Sequence, residues 1–318
     1  MASMNIPIVV QDPRFEAARS MVVEGAIDER VISTFASLLE ECRNTFGTTH
    51  VESAPAYYEY GNAILRGKQT EEEAKAKAEA EAKAPSDPSD KRKIAAAAAE
   101  HRATEDSKPA AIEPKASDES SDDTQLALEM MESAWSILTE YCEGTETKYR
   151  AWAEEQIPRY LTGIGDILAT MEKHADSADA YLRALEHRSA ALAGHDAKTV
   201  AFLQARRRVA ELNILIAEQL LACSPTEDVV TSESETKLVS KDERVDYARG
   251  YYDKARDELQ ETVVLMAEMT AKGMDLDGEK ENVCFASTLI MAVGEQLAQI
   301  EEEGEGDEPT QKKAKTVE

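Results

Sequence analysis

Carboxylates are the commonest chemically capable side chains in this sequence. The chain of 318 residues carries 63 Asp and Glu against 36 Lys and Arg, a formal net charge of −27. Glu211 and Glu218 are two helical turns apart, so they share one face of a helix. Asp166 holds the place in an earlier, similar segment that Glu218 holds in this one. Carboxylates presented in this way accept charge-assisted hydrogen bonds from the Arg and Lys of a basic partner. Nucleophilic catalysis is not indicated. His50, His101, His174, His187 and His195 stand at no recognisable spacing from a Cys or Ser, and the His187/His195 pair lacks a third ligand or acid. Cys42, Cys142, Cys223 and Cys284 are far apart without metal-ligand spacing, and read as reduced thiols packed in helices. There is no Gly-rich phosphate loop, so the chain reads as non-enzymatic, with no cofactor and no metal. Its acidity opposes direct nucleic-acid binding, which needs cations to neutralise phosphates. Without a signal peptide or a long apolar run, neither secretion nor membrane spanning is expected.

The elements that must position these acids are helical. Around Asp166, residues 158–188 read as two helices joined by a turn at Lys173–Asp176. Leu161, Ile164, Gly165 and Leu168 on the first helix, with Ser177, Tyr181 and Ala184 on the second, fit the tetratricopeptide (TPR) pattern. Small residues at Gly165 and Ala184 let the helices approach, and larger ones fill the gap. The same template recurs. Residues 15–43 form a hairpin with Phe35 as the second-helix aromatic. Tyr57, Tyr60, Gly61 and Ile64 repeat the first-helix positions, but the matching second helix, with Ala127, Met131 and Ala134, comes only at 125–141. Between them, residues 68–124 are low in complexity, with Pro85, Pro88, Pro109 and Pro114 and almost no large apolar residues. Such composition cannot offset ordering entropy, so the segment reads as a disordered insertion spliced into one repeat, with 70–84 and 94–103 transiently helical. Residues 147–156 lead toward the central repeat. Asn213, Ile216, Ala217 and Leu220 in a helix at 198–222 pair with Ala248, Tyr252 and Ala255, across a polar loop at 224–241. A last amphipathic helix, 279–302, reads as a cap, and 303–318 as a disordered tail, acidic and then basic. The expected fold is all-α: a TPR-like helical solenoid over residues 1–302, of about four helix pairs plus a C-terminal capping helix, with 68–124 splitting the second repeat.

Four such repeats with the second one split resemble the NASP (SHNi-TPR) family of histone chaperones. The likeness is carried by AYYEYGNAILR at 56–66, LALEMMESAWSIL at 126–138, IPRYLTGIGDILATMEKHADSADAYLRALEHR at 157–188 and, more loosely, AELNILIAEQL at 210–220. The resemblance implies binding of histone H3, alone or with H4, by an acidic groove and insertion before nucleosome assembly. Linker histone and homodimerisation are further possibilities. First helices line the concave face of a TPR stack, which puts Tyr58, Asn62, Asp166, Glu211 and Glu218 in the groove. The insertion would contribute Glu71, Glu72, Glu73, Asp118, Glu119, Asp122 and Asp123. Its acid runs are diluted with Ala and Lys, unlike the near-pure acidic stretch common in the family. Nuclear residence with a cytoplasmic pool is expected, with Lys91-Arg92-Lys93 or Lys312-Lys313-Ala314-Lys315 as import signals. The competing expectation is a co-chaperone or scaffold that clamps the C-terminal peptide of Hsp70 or Hsp90. That clamp needs converging Lys, Arg and Asn, whereas these groove positions carry acids.

Overall fold

The computed structural model describes residues 5–83, 118–196, 199–224, 228–232, 235–238, 240–274 and 280–305. It is an all-α array of TPR-like helix pairs with a C-terminal helix, interrupted by one small β-hairpin. The chain divides into two compact units, Pro7–Ala134 and Trp135–Glu318 with residues 1–6.

In the first unit, α1 (Pro13–Val23) and α2 (Glu29–Phe46) form a hairpin. Asp12 and Asp28 cap the two N-termini by accepting bonds from backbone N–H groups in each first turn. Gly25, at φ 73°, makes the turn between them. Phe15 and Phe35 meet edge to face at 5.6 Å in the core. Helix α3 (Ala54–Lys83) packs on α2. Its partner is the first part of α4 (Asp118–Glu143). A Cβ on Gly61 would lie 2.7 Å from the Ala127 carbonyl oxygen and 3.1 Å from Met131, so the two helices touch at the glycine. That contact joins the halves of the split repeat. Both helices run further into the interval 68–124 than its composition suggests. Ala, Glu and Lys favour helix, Glu71 pairs with Lys75 one turn on, and Lys68 Nζ donates to Thr124 Oγ1 at 2.6 Å. Residues 84–117 and 306–318, which hold the rest of the expected insertion and tail and both basic clusters, lie outside the described residues.

The second unit stacks α5 (Arg150–Thr170), α6 (His174–Leu192), α7 (Val200–Ala222), α8 (Lys241–Ala271) and α9 (Lys280–Glu305), each packed on the next. Helix α5 begins well before Pro158 and continues through it. Trp152, Ala153, Ile157, Tyr160, Leu161 and Ile164 keep a helical period across the proline, and their burial outweighs one lost backbone bond. The α5–α6 turn falls at Met171–Lys173, earlier than its sequence suggests, with Glu172 at φ 59° and His174 already helical. The Lys173 N–H donates back to the Leu168 carbonyl and closes α5.

The stretch 224–241 is not wholly loop. Strands β1 (Asp228–Ser232) and β2 (Glu235–Leu238) pair antiparallel, Val229 opposite Lys237 and Val230 opposite Thr236. β1 packs on α6 and Val229 is fully buried. β-branched Val229, Val230 and Thr231 suit a pleated ladder, and one buried valine anchors it. Ser240 and Glu243 form a reciprocal capping box that starts α8. Beneath it Arg244, only 3% exposed, donates to the Cys223 carbonyl at 2.9 Å and to that of Ser224. Leu203, Met266 and Met269 pack α7 to α8, while Leu289 and Ile290 of α9 reach Ala210 and Leu259.

Candidate protein-binding face

The central repeat is locked at Gly165. A Cβ there would lie 2.6 Å from Cδ1 of Tyr181 and closer still to Cε1, so only glycine admits the ring. Ser177 Oγ donates to the Gly165 carbonyl at 2.8 Å, and Tyr181 Oη donates to Asp166 Oδ1 at 2.7 Å. Tyr181 is 1% exposed. Burial, followed by the nearby Asp166 charge, raises its pKa far above the ordinary phenol, so the hydroxyl stays a donor. Asp166 is thereby held in one orientation at the partly exposed edge of α5.

Glu218 comes to the same place from α7. Its charge acts on the hydroxyls of both Tyr181 and Tyr252, and Tyr252 is pushed up to about 12 by burial and then by Glu218. Glu218 is exposed by surface area, yet the atoms crowding it raise its carboxyl above the ordinary value. Exposure decides what a partner can reach and crowding decides the cost of the charge, so the two facts are compatible. His174 Nδ1 and Gln219 Oε1, 2.9 Å apart, hold α6 to α7 beside this pair.

Asp166 and Glu218 therefore both act on the Tyr181 hydroxyl, Asp166 through a hydrogen bond and Glu218 through its charge, which also reaches Tyr252. Glu211 stands apart, two turns along α7, half-buried and engaged with Arg207 at 2.9 Å. The i,i+4 spacing of Arg207 and Glu211 already signals that pair in the sequence. Tyr58 and Asn62 belong to the other unit. Tyr58 is 6% exposed, a core position in the described structure. Asn62 is partly exposed; it donates to Glu59 Oε2 at 3.2 Å and accepts from Arg66 Nε at 3.3 Å. Glu59 is itself buried and lies 3.5 Å from Arg19. Among the acids of 71–73 and 118–123, Glu71 and Asp123 are exposed. Glu72, Glu73, Asp118, Glu119 and Asp122 lie on α3 and the first turns of α4, with side chains outside those described.

Cys42, Cys142 and Cys223 are free thiols, and burial pushes Cys42 up to about 11, away from reactivity. The Cys284 side chain lies outside the described ones. Among the described residues no three His, Cys, Asp or Glu side chains converge to hold a metal ion. No described helix is long and apolar enough to cross a membrane. The arrangement is that of a TPR-like scaffold, a fold that serves protein–protein contact.

No protein-family profile matches the chain, and no curated protein matches it. Among solved structures it is similar to the crystal structure of a variant of a putative kinesin light chain of Podosopora anserina, described as having nearly identical TPR-like repeats. That likeness has 9% identity and a TM-score of 0.40, over 92% of this chain and 95% of the other.

Proposed function

We propose that this chain is a histone chaperone of the NASP type. On this reading it binds H3, alone or with H4, through the α5/α7 face and flanking acidic segments, and supplies it for nucleosome assembly. The observation that carries the reading is that Asp166 and Glu218, at equivalent places on the first helices α5 and α7, both act on the buried Tyr181 hydroxyl, Asp166 by a hydrogen bond and Glu218 through its charge. Oriented carboxylates in partly desolvated surroundings bind Arg and Lys more strongly than freely solvated ones do. Glu71, Glu72, Glu73, Asp118, Glu119, Asp122 and Asp123 would add a second acidic contact, and the net charge of −27 favours encounter with a basic partner. Nuclear residence with a cytoplasmic pool belongs to the same proposal. Acids at Asp166 and Glu218 do not suit the acidic C-terminal peptide of Hsp70 or Hsp90.

The test is binding of the purified chain to H3–H4, with H2A–H2B as comparison. Exposed Glu218→Lys alone, and with Asp166→Lys, should weaken H3–H4 binding at least about tenfold, about 1.4 kcal/mol. Circular dichroism should show the fold retained in Glu218→Lys. A wild-type chain that ignores H3–H4, or a Glu218→Lys chain that binds it unchanged, refutes the reading.

A further inference from the structure

In this acidic chain, Arg159, Arg188 and Arg208 fall on facing stretches of three consecutive helices, about two turns along α5 from Asp166. Hydrogen bonds across the hairpins fix the register. The tight turn at Met171–Lys173 folds α6 back along α5, and Ser177 and Tyr181 reach Gly165 and Asp166 across it, so Arg159 falls across from the Arg183–Arg188 stretch. The short connection from Leu192 to Val200 turns α7 back along α6, and the His174–Gln219 contact at its far end sets the register, so Arg188 comes opposite the Arg206–Arg208 run. Within that run Arg206 is committed to Glu258 and Glu261, and Arg207 to Glu211. Arg188, half-buried, and Arg208, exposed, enter no ion pair among the described residues. Arg159, also half-buried, leans on Gln156 at 3.4 Å. Arg183 stacks 4.5 Å over the Trp135 ring beside them.

We propose that Arg159, Arg188 and Arg208 form a docking site for an acidic segment of a protein partner. Guanidinium forks match carboxylates two bonds at a time, which suits a cluster built from arginine alone. Arg188 and Arg208 are like charges held together, which is unfavourable until an anion arrives. Arg188 shows this: burial, Arg208 and Arg159 all push its pKa down, and exposed Glu155 offsets them only in part. A nucleic-acid ligand is disfavoured, because a phosphate backbone needs a long row of cations and would meet the repulsion of a chain at −27. The site lies about 10 Å along α5 from Asp166, at 1.5 Å per residue. It does not depend on the histone reading, and either can fail alone.

The experiment is fluorescence anisotropy of a labelled octaglutamate peptide titrated with the full chain at low ionic strength. Saturable binding by a protein of the same sign of charge is expected. Exposed Arg208→Glu should abolish it or weaken it at least tenfold, and Arg188→Gln should weaken it severalfold. Lys272→Glu makes the same change in net charge on the exposed end of α8 and should leave binding unchanged. Absence of saturable binding, equal loss in Lys272→Glu, or full binding by Arg208→Glu overturns the proposal. Competition by inorganic phosphate as effective as by the peptide would mark a simple anion site and overturn peptide docking.

Discussion

Replacing Gly165 by Ala tests the packing that orients Asp166. Alanine is the better helix former, and propensity alone predicts a gain of about 1 kcal/mol. The structure predicts the opposite sign. The new Cβ would lie 2.6 and 2.9 Å from Cδ1 and Cζ of the Tyr181 ring and closer still to Cε1, so the ring must retreat by about an ångström to reach ordinary contact. Tyr181 is 1% exposed and has no open space to enter. Overpacking of this kind costs about 1–3 kcal/mol. The retreat also pulls the hydroxyl from Asp166, and a hydrogen bond to a charged acceptor contributes about 1.5–3 kcal/mol. After the propensity gain, the net loss is about 1.5–5 kcal/mol. The assay is urea denaturation followed by far-UV circular dichroism, with Gly250→Ala as control. Gly250 sits inside α8 with nothing within 4 Å of its would-be Cβ, so that variant should gain about 1 kcal/mol. In a Tyr181→Leu background the further cost of Gly165→Ala should fall below about 1 kcal/mol, because the clash has gone. A Gly165→Ala chain as stable as wild type, or the same cost with and without Tyr181, would refute the reasoning.

Three further outcomes follow. Glu218→Gln should stabilise the chain at neutral pH: the folded carboxyl titrates above the reference 4.5, so its charge costs stability there. That cost is relieved as pH falls through the folded value, and the gap between Gln and wild type should close below 4.5, as pH-dependent melts would show. Arg244→Gln should lose about 2–3 kcal/mol in the same denaturation assay, since the Cys223 and Ser224 carbonyls lose a buried charged donor. H3–H4 affinity measured from low to high salt should fall steadily, with screening over about 8 Å at physiological ionic strength; a flat profile would exclude the charge argument.

What was legible in the sequence was local. Gly61 and Gly165 were marked by spacings within their first helices and Met131 and Tyr181 by spacings within their second helices, and the structure packs each glycine against the second-helix residue of its own repeat. That is enough to recover a repeat cut by a long insertion. Features set by tertiary context were less legible. Tyr58 sits at a first-helix face position, but 6% exposure depends on what covers it, which helical period does not encode. Pro158 suggests a helix start, while the apolar period running from Trp152 to Ile164 overrides it. Val229–Thr231 is too short to stand out from its polar surroundings, and one buried valine on α6 decides that it is a strand. At the candidate face, the equivalence of Asp166 and Glu218 was readable. The removal of Glu211 from that patch turns on Arg207, four residues away, whose meaning depends on both side chains choosing each other over a partner.

The charges of the second unit fall into two kinds. Arg206 is matched by Glu258 and Glu261, Arg207 by Glu211, and Arg244 by the carbonyls beyond α7. These pairs hold helices or helix ends together, and the fold accounts for them. Glu218 and Arg188 are of the other kind. Glu218 is crowded enough that its ionised form is penalised, and Arg188 is half-buried among like charges. Neither stabilises the helix that bears it, and a neutral residue of similar size would serve each helix better. Charges that cost stability are enriched at functional sites, and threshold selection tolerates such costs with or without a function, so binding decides between the two. Both proposed sites carry such a cost, and each can fail alone. If Glu218→Gln and Arg188→Gln both stabilise the free chain, and each loses binding to a ligand of opposite charge, both costs are explained by function. If a variant is more stable and binds as before, the charge it removed was an accident of drift, and the corresponding site falls.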